Sequence, residues 1–228
     1  NLTINEAAFW AGIAASGLGI SMFFISPVWG ILADRFGRKP MVLRAMYGGA
    51  IILSLIGFAP NVYFIVVLRM LQGLITGSVA AMTALASSIV PRNKMSFAMG
   101  IIMLAVFSGQ SLGPLIGGYV ADHYGYHTTF YLSGIFLLLG GITVSLLVKE
   151  DFQKSPQTRT NPVRSMIRLA MSKEMLPLLA IMCFVSIGQS IVNPILSLRV
   201  KEINTLGKAA TPSGLIFSLT GLMAAISS

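Results

Sequence analysis

The sequence predicts an all-α membrane protein, a polytopic helix bundle with six full spans and the start of a seventh. Three observations predict it. Only 10% of the 228 residues are charged, against about 25% in a soluble domain. The apolar residues fall in blocks of the length a helix needs to cross a bilayer core, roughly 20 residues. The basic residues gather in every second link between blocks, as the positive-inside rule requires.

The spans are expected at 8–32, 41–59, 62–90, 95–121, 127–148 and 174–199, with a seventh from about Ser213. Gly, Ser and Thr inside them suit close helix packing in lipid. Of the 16 Lys and Arg residues, 12 lie in or beside the odd-numbered links: Arg35, Arg38, Lys39, Arg44, Arg92, Lys94, Lys149, Lys154, Arg159, Arg164, Arg168 and Lys173. The opposite side holds Arg199, Lys201 and Lys208. This places 33–40, 91–94 and 149–173 in the cytoplasm, in a multi-pass protein of the plasma (inner) membrane. The net charge of +9 is therefore a topology signal, and no nucleic-acid partner is expected. The division read from these blocks is an N-terminal bundle at 1–148, a cytoplasmic linker at 149–173, and the start of a C-terminal bundle at 174–228.

The first span runs into the stretch WGILADRFGRKP. Gly30 and Asp34 share a helix face. Asp34 stands at the C-terminal end of its helix, where the dipole disfavours an anion, so it needs compensation, some of it expected from Arg38. Gly37 suits a tight turn, and Arg35 and Lys39 suit the headgroups. The aromatic residues near span ends, Trp10 and Trp29 among them, are expected in interfacial belts.

The third span carries Arg69, the one ionisable side chain well inside a predicted span. Insertion costs about 2.5–3.5 kcal/mol for such a residue at mid-membrane. Arg69, Gln72, Gly73, Thr76, Ala80, Thr83 and Ser87 share one face, which argues that Arg69 looks into protein or a wet cavity. The fourth span has Gly109, Gly113 and Gly117 in a row extended by Ala105 and Ala121, a groove for a neighbouring backbone, and Pro114, which removes a backbone hydrogen bond. The fifth is uncharged and expected at the lipid-facing periphery. The sixth has a polar face of Ser186, Gln189, Ser190, Asn193 and Ser197, for substrate or for other helices. His123 and His127 are expected solvated in an outer loop. Cys183 is the single cysteine, so no internal disulfide forms. No nucleotide loop, catalytic triad or metal cluster is visible, so neither an enzyme nor a cofactor is expected.

Residues 12–26 align with 214–228 at an offset of 202, with Gly12/Gly214, Ser16/Ser218, Gly19/Gly221 and Ser26/Ser228 identical. An internal period near 200 suggests a parent of about 400 residues with two similar halves. The expectation is that a helix precedes residue 1.

Three motifs carry a family resemblance. Gly30, Asp34, Arg35, Gly37, Arg38 and Lys39 resemble the signature loop between the second and third helices of the major facilitator superfamily. Arg69, Gln72 and Gly73 resemble its fourth-helix motif. Gly109, Gly113, Pro114, Gly117 and Gly118 resemble the fifth-helix motif of its drug:proton antiporters. The resemblance implies a bundle of major facilitator type and a conformational latch at the first motif, whose aspartate faces a helix N-terminus of the other half. It also implies proton coupling through Arg69, Gln72 and Gly73. No Asp or Glu lies between Asp34 and Asp122, so the charge relay of the latch is expected to be short, with Arg92 left to headgroups or to partners outside the visible chain. The implied function is export of lipophilic drugs or related small molecules in exchange for protons. The resemblance further implies the proton gradient as energy source, a proton-bearing acid on helices outside the visible spans, and a monomeric full-length protein. Substrate contacts are expected at Gln72, Thr76, Met103, Phe107, Gln110, Gln189 and Asn193. The rival readings are a facilitator or proton symporter for a small metabolite such as a sugar or organic anion, and a receptor or scaffold.

Overall fold

The computed structural model describes residues 4–150, 152, 168, 171–188 and 210–227. They are helical almost throughout: α1 (Ile4–Phe36), α2 (Arg38–Gly57), α3 (Val62–Ile75), α4 (Ser78–Ile89), α5 (Met95–Tyr124), α6 (Tyr126–Leu147), α7 (Met175–Gly188) and α8 (Ala210–Ser227). A 3-10 turn, Arg92–Lys94, leads into α5. Among the described residues, five stretches are long and apolar enough to cross a membrane: Phe9–Phe36, Arg38–Gly57, Val62–Ile89, Arg92–Tyr124 and Tyr126–Leu147. They coincide with the first five expected spans. Of the sixth, only α7 lies within the described residues. The seventh begins at Ala210, three residues before Ser213.

By packing, the chain forms two compact units, Asn1–Lys154 with Ala210–Ser228, and Ser155–Ala209. This division cuts the chain differently from the sequence division at 149 and 174, because α8 packs along α5. In the second unit, Ser172 lies in the turn before α7, and its hydroxyl accepts from the Met175 N–H at 3.3 Å.

In the first unit, α2 is the inner helix. It packs on α6, α3, α4 and α1, and it buries Met41, Val42, Ala45, Ala50, Ile52 and Ile56. Val42 meets Leu85 of α4 and Val144 of α6, while Ile52 and Ile56 meet Leu68 of α3. Around this core, large apolar side chains such as Phe23, Phe24, Phe97, Leu146 and Leu147 point outward. That pattern suits a lipid solvent, where oily surface need not be hidden and tight packing, not exclusion from water, holds helices together. The α2 and α6 ends are also tied by His127, whose Nδ1 lies 2.6 Å from the Gly57 carbonyl. His127 is exposed, as expected, but it lies in the first turn of α6 and not in a loop.

The expected span 62–90 is two helices. α3 stops at Thr76, which has extended backbone, and Gly77 takes φ 114°, ψ 33°, a left-handed conformation open to glycine. The Thr76 hydroxyl donates to the Gln72 carbonyl at 2.7 Å and completes the cap.

Candidate functional site

The loop of the first motif is a single residue. α1 continues to Phe36 and α2 begins at Arg38, with Gly37 between them at φ 98°, ψ 164°. The first N–H groups of a helix lack partners within it, and a carboxylate fits there because the dipole is positive. At α2 that carboxylate is Glu150. Its Oε1 accepts from the Arg38 N–H at 2.9 Å, and its Oε2 from the Lys39 N–H at 2.7 Å. The side chains spread outward from this cap. Arg38 Nη1 donates to the Ala84 carbonyl at 2.9 Å and to Ser87 Oγ at 3.1 Å, both on α4. Lys39 Nζ donates to the Ser145 carbonyl of α6 at 2.9 Å. The loop therefore staples α2, α4 and α6 together at the end of the bundle where α1 turns into α2.

One expectation is corrected here. Arg38 does not compensate Asp34. The two lie on different helices, either side of Gly37, so the four-residue spacing that would bring them together on one helix does not apply. Asp34 and Arg35 are exposed, Arg35 lies 5.3 Å from the Phe36 ring, and a Cβ on Gly30 would meet no atom within 4 Å. The acid that does engage the loop is Glu150, beyond α6. The sequence signal was present, an acid just after a span that ends on the basic side, but its partner stands more than a hundred residues away. Glu150→Gln replaces an acceptor by an amide and removes the charge. It is expected to cost about 1.5–3 kcal/mol, read as a lower melting temperature of the purified protein; an unchanged value would contradict the capping role.

Arg69 is half-buried on α3, and its Nη1 donates to Gln72 Oε1 at 3.1 Å. Its guanidinium lies 6.0 Å from the Phe130 ring of α6. Gly73, the third member of the motif, is buried against α1: a Cβ there would lie 2.3 Å from the Leu18 carbonyl oxygen and 2.9 Å from Ser21 Cβ. The motif thus joins a hydrogen-bonded Arg–Gln pair to a close backbone approach of α3 and α1.

Just beyond it, at the break between α3 and α4, stand two residues that sequence reasoning placed elsewhere. Arg44, counted with the cytoplasmic link, lies on α2 inside a span, about 9 Å along the helix from Arg38. Its guanidinium sits 3.4 Å from the centre of the Trp29 ring, and its Nη2 is 3.5 Å from the Thr76 carbonyl. Trp29, expected in an interfacial belt, donates from Nε1 to the Leu74 carbonyl at 2.7 Å. In lipid every backbone polar group needs a partner. These two side chains serve the carbonyls that the break takes out of the helical ladder. Trp29→Phe keeps a ring under Arg44 but removes the N–H donor. It is expected to lower stability by about 1–3 kcal/mol, measured by thermal unfolding in detergent; no change would show that the indole does not support the break.

On α5, the neighbour approaches a different face from the expected one. A Cβ on Gly109 or Gly113 would meet nothing within 4 Å, and one on Gly117 would touch only Thr129 of α6 at 3.4 Å. The close approach is at Gly118, where a Cβ would lie 2.4 Å from the Ala210 carbonyl oxygen, and at Gly214, where it would lie 2.2 Å from that of Pro114. Ser111 Oγ donates to the Ser218 carbonyl at 2.9 Å. The seam is antiparallel and runs along the row of Ser111, Pro114 and Gly118.

Of the expected substrate contacts, Gln72 and Thr76 are half-buried at the end of α3, and both are engaged in the hydrogen bonds above. On α5, Phe107 is half-buried while Met103 and Gln110 are exposed. Gln189 and Asn193 lie outside the described residues. A cavity of about 330 Å³ between α2 and α6 is lined by Ala50, Ser54, Phe58, Gly134, Ile135 and Leu138, among others, and by none of these.

Residues 2–228 match the model of the family described as Major Facilitator Superfamily. The chain is 37% identical over 224 residues to the multi-drug resistance efflux pump PmrA of Streptococcus pneumoniae, covering 98% of this chain and 56% of that protein. It is 37% identical over 220 residues to the multidrug resistance protein MdtG of Escherichia fergusonii, covering 96% and 54%. It is 34% identical over 220 residues to MdtG of Salmonella arizonae, with the same coverage, 96% and 54%. The chain therefore spans about half the length of the curated relatives it matches.

Proposed function

Because this chain belongs to the major facilitator superfamily and is a multi-pass protein of the cell membrane, we propose that the transporter containing it exports lipophilic drugs in exchange for protons. It is a transporter rather than an enzyme. It works by alternating access, rocking two helical bundles about a central site. The names of its relatives support the cargo class. The observation that carries proton coupling is Arg69, held by Gln72 within a membrane span. An arginine stays charged and is costly in lipid, so its place there serves a task. Its remaining donors suit a carboxylate, whose proton affinity it lowers. Such a carboxylate would alternate between a proton and Arg69 as cargo enters and leaves.

The experiment is drug flux in liposomes containing the full-length transporter. An imposed proton gradient should drive drug movement against its own gradient. Movement that only follows the drug gradient would make the protein a facilitator and sink antiport. Gradient-driven movement of drug in the same direction as protons would make it a symporter.

A further inference from the structure

We propose that Asp122 is a positioning residue of alternating access, an outer latch by which α5 holds the N-terminus of α8 and keeps the outer side closed. The inference rests on the transport reading above for its consequence, but its geometry is independent of cargo and of protons.

The distribution of basic residues puts the end of α5 and the start of α8 on the outer side. There the Asp122 carboxylate takes the first N–H groups of α8. Oδ1 accepts from Ala210 at 3.2 Å and Oδ2 from Thr211 at 2.7 Å, and the Thr211 hydroxyl also donates to Oδ2. Among the described residues, three donors converge on one charge at the positive end of a helix, the arrangement in which a carboxylate contributes most. Below it, towards the membrane interior, the seam has a different character. Gly118 against Ala210, and Gly214 against Pro114, bring the backbones together through small residues, and the bond from Ser111 to Ser218 adds one neutral link. Packing of that kind is short-ranged and is lost once the helices part by an ångström or two. The charged contact stands at the rim, where separation must begin.

By the sequence division, α5 and α8 belong to different halves. Opening the outer side then means parting these two helices, and the bonds to Asp122 break as that happens. The antiporter glycine motif supplies the close fit, and Asp122, four residues beyond Gly118 on the same helix face, supplies the direction-dependent hold.

The test uses the full-length transporter in a Cys183→Ser background, with spin labels on Tyr124→Cys and Leu215→Cys, two exposed positions flanking the contact. Pulsed spin-resonance distances report open and closed outer ends without drug or gradient. Asp122→Asn is expected to raise the open-to-closed ratio about five- to thirty-fold, and Asp122→Glu, which keeps the carboxylate, to stay mostly closed. Thr211→Val, which removes one of the three donors and little else, is expected to shift the ratio the same way by less, and carries the test if Asp122→Asn does not fold. An unchanged ratio in folded Asp122→Asn, or an equal opening in Asp122→Glu, would overturn the latch. If the distances shift while no proton gradient drives drug export, the latch stands and the antiport reading fails.

Discussion

An Arg69→Ala variant of the full-length transporter is expected to reach the membrane at normal levels and to lose gradient-driven drug export by about a hundredfold or more, some 2.7 kcal/mol in the coupled step. The loss is large because the charge has no substitute. Arg69 is fixed by its bond to Gln72 Oε1 and by its position on α3 facing Phe130 of α6. On the proposed mechanism, removing it would leave the partner carboxylate with no reason to release its proton when cargo arrives. Downhill drug movement should survive, since the helices that move are untouched. Arg69→Lys is expected to retain only part of the flux, because a point ammonium does not reproduce the planar fork. Unchanged coupled flux in Arg69→Ala would remove this residue from the mechanism.

Gly73→Leu is the second large effect, and it acts through the fold. A Cβ at this position would lie 2.3 Å from a backbone oxygen, that of Leu18, which no rotamer change can move aside. Even alanine forces α1 and α3 apart. Overpacking costs about 1–3 kcal/mol for added methylenes, and a leucine in this seam should lie at or above the upper end. The expected result is a fall in melting temperature and in yield, with Gly73→Ala intermediate. Gly30→Ala, where a Cβ would meet nothing within 4 Å, is the contrasting variant and should leave the stability of this unit unchanged. A Gly73→Leu protein as stable as the parent would contradict the packing described for α1 and α3.

The spans were legible because a bilayer imposes a length and a composition on any helix that crosses it, and α1, α2, α5 and α6 obey both. The three motifs were legible because each is a short pattern on one helix or one turn. What escaped was contact between distant parts of the chain. Glu150 read as the first acid of a linker, since nothing near it in sequence shows that it caps α2. Arg44 read as a loop residue because it follows a basic cluster, although α2 begins six residues earlier. The break at Thr76 and Gly77 was hidden by an unbroken apolar block. A glycine within such a block is compatible with continuous helix; Trp29 and Arg44, brought up from α1 and α2, help make the interrupted one stable. The glycine row on α5 was a related case. Spacing identified small residues correctly but not which of the adjacent faces α8 would choose, because that depends on α8.

The central claim is that drug and proton are exchanged through linked binding. Its most direct measurement is proton release when drug binds to the purified full-length transporter in weakly buffered detergent solution. The expected result is release of protons in proportion to drug bound, strongest where the site starts protonated and absent in Arg69→Ala. Binding of drug with no release at any pH, in protein that still transports, would contradict it.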